Sequence, residues 1–158
     1  MTKRKSAERG VTLIEMMVVT LLIALMVGIS FPSVSSGVDS LRLSGAARNI
    51  ATFFNSALNL AGRRQEAIEV VISPADNRLW MISSRAGFRR DLQLPDSVTI
   101  TNILPAPGQP DAKERSFFLY PGGTAPAMGV TLTNRRGMLR TVQVDPVTGV
   151  PSVGSPGS

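Results

Sequence analysis

The chain has 158 residues, 43% of them hydrophobic, and a formal charge of +6 from 17 basic and 11 acidic side chains, with neither cysteine nor histidine. Those absences remove disulfide staples, the common soft metal ligands, and the usual base and thiol nucleophile of hydrolases. Acid pairs and serine–lysine arrangements stay open on composition alone, but Lys113 is the only lysine beyond the first ten residues and lies in a proline-rich stretch, so the chain reads as non-enzymatic and free of cofactors.

The first ten residues carry Lys3, Arg4, Lys5 and Arg9 against one acid, Glu8, which accounts for much of the basic balance. From Val11 to Phe31 the sequence is apolar for about 21 residues, a helix of roughly 31 Å at 1.5 Å per residue, enough to cross a bilayer. The basic leader sets the orientation with the N-terminus in the cytoplasm and the remainder exported. One carboxylate, Glu15, interrupts the run near its start. An acid at the centre of a membrane helix costs about 2.5 to 3.5 kcal/mol on insertion scales, so Glu15 reads as a site with a partner to meet. A secretory signal peptide, with a weak small-residue cleavage site at Val34-Ser35-Ser36, and a plain signal anchor whose Glu15 reaches the interface are the competing readings.

The segment Gly10-Val11-Thr12-Leu13-Ile14-Glu15 resembles the cleavage and methylation motif of type IV prepilins and type II secretion pseudopilins. The resemblance implies cutting between Gly10 and Val11 by a membrane prepilin peptidase, methylation of the new Val11 amine, and a role for Glu15, fifth after the cut, in subunit assembly. Pro32 stands where this family commonly has a proline. Val11 departs from it, since phenylalanine is usual there. Charge physics gives the motif its logic: a buried amine and a buried carboxylate each need an opposite, and a misregistered helix leaves one unpaired. The amine of one subunit can meet Glu15 of the next, or pairing can occur within one subunit.

Beyond Pro32, Leu43, Ala47, Ile50, Phe54, Ala57 and Ala61 recur at helical spacing, with Arg42, Arg48, Asn49, Asn55 and Asn59 off that face. This predicts a second, amphipathic half of one long helix, ending near Ala61 or Gly62, whose apolar face packs on a sheet. Gly28, Ser30 and Pro32 mark a weak point where a kink or local melting is expected. The expected segments are a leader over 1–10, a transmembrane half over 11–32, an amphipathic half over 33–66, a periplasmic β-sheet head over 67–150 and a flexible tail over 151–158.

In the head, Val70-Val71-Ile72, the turn Ser73 to Asn77, and Leu79 to Ile82 predict a hairpin. Arg85 to Asp91 reads as a charged connection. A strand follows at Ser97 to Ile103, with Val98, Ile100 and Asn102 on one face and Thr99, Thr101 and Ile103 on the other. Leu104 to Arg115, with three prolines, reads as a mobile loop. Strands are expected again at Ser116 to Leu119, Gly129 to Thr133 and Met138 to Asp145. The tail from Pro151 is expected to be disordered apart from a short strand at its start. The pattern predicts an α+β fold, a long N-terminal helix packed on an antiparallel sheet, which the resemblance implies is pilin-like.

The segments Phe118 to Thr124, Val130 to Asn134, and Val142 to Gly149, with the helix end Asn55 to Ala67, are similar to the C-terminal region of the GspH/FimT group of minor pseudopilins and minor pilins. That resemblance implies a minor pseudopilin of type II secretion, at or near the tip of a periplasmic pseudopilus and anchored in the inner membrane. The alternative is a minor type IV pilin, or a DNA-binding protein of natural transformation. The partners implied are the prepilin peptidase and other pseudopilins or minor pilins through the N-terminal helix. For nucleic acid the basic residues are Arg63, Arg64, Arg85, Arg89, Arg90, Arg135, Arg136 and Arg140, which could meet phosphates but are interleaved with acids. In this group a basic residue often follows the final threonine-glycine, and the resemblance implies that in some DNA-uptake members this basic motif binds DNA. Here Thr148-Gly149 is followed by Val150-Pro151.

Overall fold

A computed structural model describes residues 11–85, 87–106 and 114–155, and within them the side chains of all but 29–36. The chain divides into two compact units, Met1–Gly37 and Val38–Ser158. Helix α1, Leu13–Arg64, begins in the first and ends in the second. Its assignment is unbroken through Gly28, Ser30 and Pro32, so the local melting expected there is replaced by helix; the units divide a few residues later, after Gly37. The helix runs past the expected stop at Gly62. Arg63 and Arg64 occupy its last turn, where cations complement the partial negative charge of the carbonyl end. Gln65 then takes a left-handed φ of 54° and its Nε2 donates to the Gly62 carbonyl at 2.6 Å, satisfying one acceptor that the ending helix would leave open.

The second unit holds two four-stranded antiparallel sheets where the sequence reading expected one. In the first, β1 (Ile68–Ser73), β2 (Arg78–Ser83), β3 (Arg89–Gln93) and β5 (Arg115–Leu119) lie in the order β3-β2-β1-β5. In the second, β4 (Val98–Leu104), β6 (Gly129–Asn134), β7 (Leu139–Val144) and β8 (Pro151–Gly154) lie in the order β4-β6-β7-β8. The predicted hairpin is β1 and β2, with Val71 opposite Trp80. The predicted charged connection instead runs into β3, an edge strand that opens with three charged residues, Arg89, Arg90 and Asp91, and whose Leu92 packs against the core. Charge on an edge strand discourages unwanted pairing and hides the strand from a reading based on apolar alternation.

Strand β4 corrects a second expectation. A bulge between Ile100 and Asn102 leaves Thr101 out of the pairing with β6, so Ile103, expected on the face opposite Ile100, is buried with it, while Asn102 is exposed. A single extra residue reverses the face of all that follows. The expected tail also begins inside the fold, since β8 pairs with β7 from Pro151 opposite Val144 to Gly154 opposite Thr141. Of the loop expected to be mobile, Leu104 and Arg115 belong to strands, and 107–113 lie outside the described residues, as do the leader 1–10 and residues 156–158.

One apolar cluster joins these parts. The helix face predicted from spacing, Leu43, Ala47, Ile50, Phe54, Ala57 and Ala61, is buried throughout, widened by Ala46 and Phe53. It meets inward residues of both sheets, including Val70, Met81 and Leu119 from the first and Val130, Leu132 and Val142 from the second. Two asparagines tie the parts together. Asn77, at φ 52°, donates to the Val98 carbonyl at 2.6 Å and accepts from the Ile100 amide at 3.1 Å, linking the β1–β2 turn to β4. Asn134 accepts from the amides of Arg136 and Met138 at 3.0 Å, closing the β6–β7 turn, and Arg136 bonds the helix carboxylate Asp39 at 3.1 Å.

Candidate functional site

In the first unit the helix start is built by Thr12. Its hydroxyl accepts from the Glu15 amide at 3.3 Å, and its carbonyl accepts from the Met16 amide at 3.2 Å. Thr12-Leu13-Ile14-Glu15 thus has the threonine and glutamate spacing of a capping box, a signal that sequence reasoning passed over in attending to Glu15 as a charge. An acid in the first turn also complements the positive end of the helix dipole. The Glu15 side chain is exposed, and no basic group among the described residues pairs with it.

Around it every large apolar side chain from Val11 to Val27 is exposed, on all sides of the helix, with Leu13 at 81% and Met26 at 71%. The hydroxyl of Thr20 donates to the carbonyls of Met16 and Met17 and so asks nothing of water. A helix apolar all round needs a bilayer or a bundle of other helices to cover it. Among the described residues no helix is long and apolar enough to cross a membrane. The described side chains break off after Gly28, while the sequence continues apolar through Ile29 and Phe31. Gly10 lies outside the described residues, and Val11 is the first within them, 62% exposed ahead of the helix.

The arginines named from sequence fall in two groups along the chain. Arg63, Arg64, Arg85, Arg89 and Arg90 lie at the helix end and around β2 and β3, while Arg135 and Arg136 lie in the β6–β7 turn and Arg140 on β7. Four of the eight are held by ion pairs or side-chain hydrogen bonds within the chain. Arg85 pairs with Glu66 at 3.1 Å, Arg89 with Asp91 at 2.8 Å and Arg136 with Asp39, while Arg140 bonds the Ser155 hydroxyl at 3.1 Å. The hydrogen bond from Arg89 holds the Asp91 carboxyl below its ordinary range, and Asp91 raises Arg89 in turn. Trp80 is 9% exposed and lies beneath Arg78 and Arg89. Tyr120 is 63% exposed. Among the described residues no group of three or more acidic side chains converges as a metal site would require.

Residues 5–31 match the prokaryotic N-terminal methylation motif, a span that includes Gly10, Val11 and Glu15. No curated protein matches the chain in sequence. Among solved structures it is similar to the minor pseudopilin EpsH from the type 2 secretion system of Vibrio cholerae, with a TM-score of 0.57 at 12% identity, over 74% of this chain and 99% of that one. At that identity the likeness speaks for the fold. The chain joins a prokaryotic N-terminal methylation motif to the α+β fold of a minor pseudopilin.

Proposed function

We propose that this chain is a minor pseudopilin of a type II secretion system, made as a prepilin, cut between Gly10 and Val11, and assembled through its N-terminal helix. The observation that carries the reading is the all-round exposed apolar helix within the motif-matched residues 5–31, where Glu15 is the one charge among the described residues, together with a separately packed head that has the fold of a pseudopilin. Such a helix has no cover of its own, and a bilayer before assembly followed by neighbouring helices after it would supply one. Cleavage would place a new ammonium group at Val11, one residue ahead of the Thr12 cap, and Glu15 would offer that of a neighbour its opposite charge. The head then stands in the periplasm, on the far side of the inner membrane from the leader. The self-paired arginines support a solvated surface over a nucleic-acid interface.

The test uses intact mass and crosslinking together. Protein extracted from membranes should begin at a methylated Val11, and Gly10→Ala should leave the full precursor. Glu15→Val should be processed normally yet lose crosslinks between its membrane helix and those of partner subunits, because the substitution eases insertion while removing the carboxylate. Unchanged crosslinking and unchanged secretion would overturn the role given to Glu15. A soluble species starting near Ser36 would overturn the prepilin reading itself.

A further inference from the structure

On the first sheet and its loops the chain covers its aromatic rings with its own guanidinium groups. Arg78 and Arg89 lie 4.9 and 5.3 Å from the Trp80 ring centre, Arg64 4.8 Å from Phe88, and Arg115 5.0 Å from Phe117. Phe118 departs from this pattern. Its ring is 51% exposed, stacked against Tyr120 with centroids 6.4 Å apart and planes inclined by 23°, and among the described residues no guanidinium lies over it. It belongs to β5, at the edge of the sheet, and faces outward beside Glu69, its cross-strand partner, which in turn stands opposite Ile82. These three residues, with Ala67, Ser83 and Ser84, line a small recess of about 70 Å³, open to solvent on one side.

The charges around that recess do not balance. Glu66, close by, is satisfied by the Ser83 hydroxyl at 2.5 Å and by Arg85 at 3.1 Å. Glu69 has neither an ion pair nor a side-chain hydrogen bond among the described residues. The recess therefore sets an uncovered aromatic face beside an uncompensated carboxylate. Arginine complements both, since its planar guanidinium stacks on a ring while its N–H fork meets a carboxylate. Anionic lipid headgroups and nucleic-acid phosphates would both be repelled by Glu69.

We propose that this recess receives an arginine side chain presented by a neighbouring protein subunit, its guanidinium over Phe118 and its N–H groups on Glu69. The contact deepens the filament reading above, which supplies the neighbour, and it repeats between subunits the ring-covering arrangement that the head already uses within itself.

The experiment places a photoreactive benzoylphenylalanine at Ser84 of the full-length chain, in the cells that make it, and sequences the crosslinked peptide. The expected result is a dominant adduct to a pilin-like subunit, a copy of this chain included, whose peptide carries an arginine beside the crosslinked position. Glu69→Gln and Phe118→Leu should each lower its yield about tenfold, and Phe118→Tyr, which keeps the ring, should preserve it. Trp80 fluorescence checks that each variant is folded. An adduct no stronger than that from the same probe at Thr99 on the second sheet would overturn the proposal. So would a peptide without arginine, an adduct to lipid, or a yield indifferent to Glu69→Gln. Chain that enters the filament without the adduct overturns the recess alone, whereas chain that never enters it overturns the filament reading as well.

Discussion

The two units of this chain use the same residue types to opposite ends. In residues 11–28 leucine, isoleucine, valine and methionine cover the whole circumference of α1 and are exposed. From Leu43 onward the apolar positions of the same helix collect on one face, which is buried. The difference lies in arrangement, because an all-round apolar helix cannot satisfy itself within its own chain, whereas a one-sided stripe can close a core against two sheets. The first unit is therefore organised for what will surround it and the second for its own packing.

The largest expected effect follows directly. Phe54 is fully buried between the helix and the sheets, so Phe54→Ala should destabilise the head by about 3 to 5 kcal/mol, a large share of the stability of a small domain without disulfides. Leu21→Ala, on the exposed stretch of the first unit, should change head stability by less than about 0.5 kcal/mol. Trp80 is the single tryptophan and lies in the head, so its fluorescence during denaturant unfolding of detergent-solubilised full chain reports on that unit alone. Equal effects of the two substitutions would break the comparison.

A smaller loss is expected at Asn77, which holds a left-handed φ and bonds β4 through both ends of its amide. Asn77→Ala removes two partly buried hydrogen bonds and strains the turn, at a cost of about 2 to 3 kcal/mol. Asn77→Gly, which relieves the backbone and still lacks the amide, should recover about 1 kcal/mol of that. If glycine does no better than alanine under the same fluorescence measurement, the turn is not strained in the way proposed.

The helix face was legible in the sequence because a period of three and four survives in Leu43, Ala47, Ile50 and Phe54 whatever the rest of the fold does. The first hairpin was legible because β-branched residues flank a Pro-Ala-Asp-Asn turn. β3 was hidden because an edge strand carries charge where a central one carries valine, and the face of Ile103 was hidden because a bulge leaves no mark in a residue pattern. The division into two sheets depends on pairings between distant segments, such as β1 with β5, which no local period encodes. For the candidate site, the glutamate in the apolar run stood out by its cost, but the cap at Thr12 that presents it did not. Phe118 and Glu69 were individually unremarked, since they become neighbours only through the β1–β5 pairing.

Within the head, the tie between Asp39 and Arg136 should matter less than either turn. Their side chains are 22% and 42% exposed, so the pair is partly screened, and Asp39→Ala should cost no more than about 1 kcal/mol. Raising the salt concentration should shrink that difference, whereas the Phe54→Ala deficit should hold or grow. A salt-insensitive loss at Asp39 would mean that its part in the fold is packing and not charge.

The smallest expected effect is electrostatic and confined to a turn. Asp145 accepts from the amides of Val147 and Thr148 at 2.7 and 3.3 Å, and these bonds to its charged form hold its carboxyl below the ordinary value of 3.8. A carboxyl depressed in the folded state contributes stability that is present above its unfolded value and is lost as pH falls through the lower folded value. Asp91, depressed by Arg89, acts in the same direction. The head should therefore lose stability below about pH 4, and Asp145→Asn, which keeps an acceptor oxygen but cannot titrate, should flatten part of that acid limb while leaving the melting temperature near neutrality only slightly lowered. Thermal unfolding of the two proteins, followed at Trp80 from pH 7 down to 2.5, checks this. Parallel acid limbs would show that the Asp145 turn contributes nothing to the pH dependence of the head.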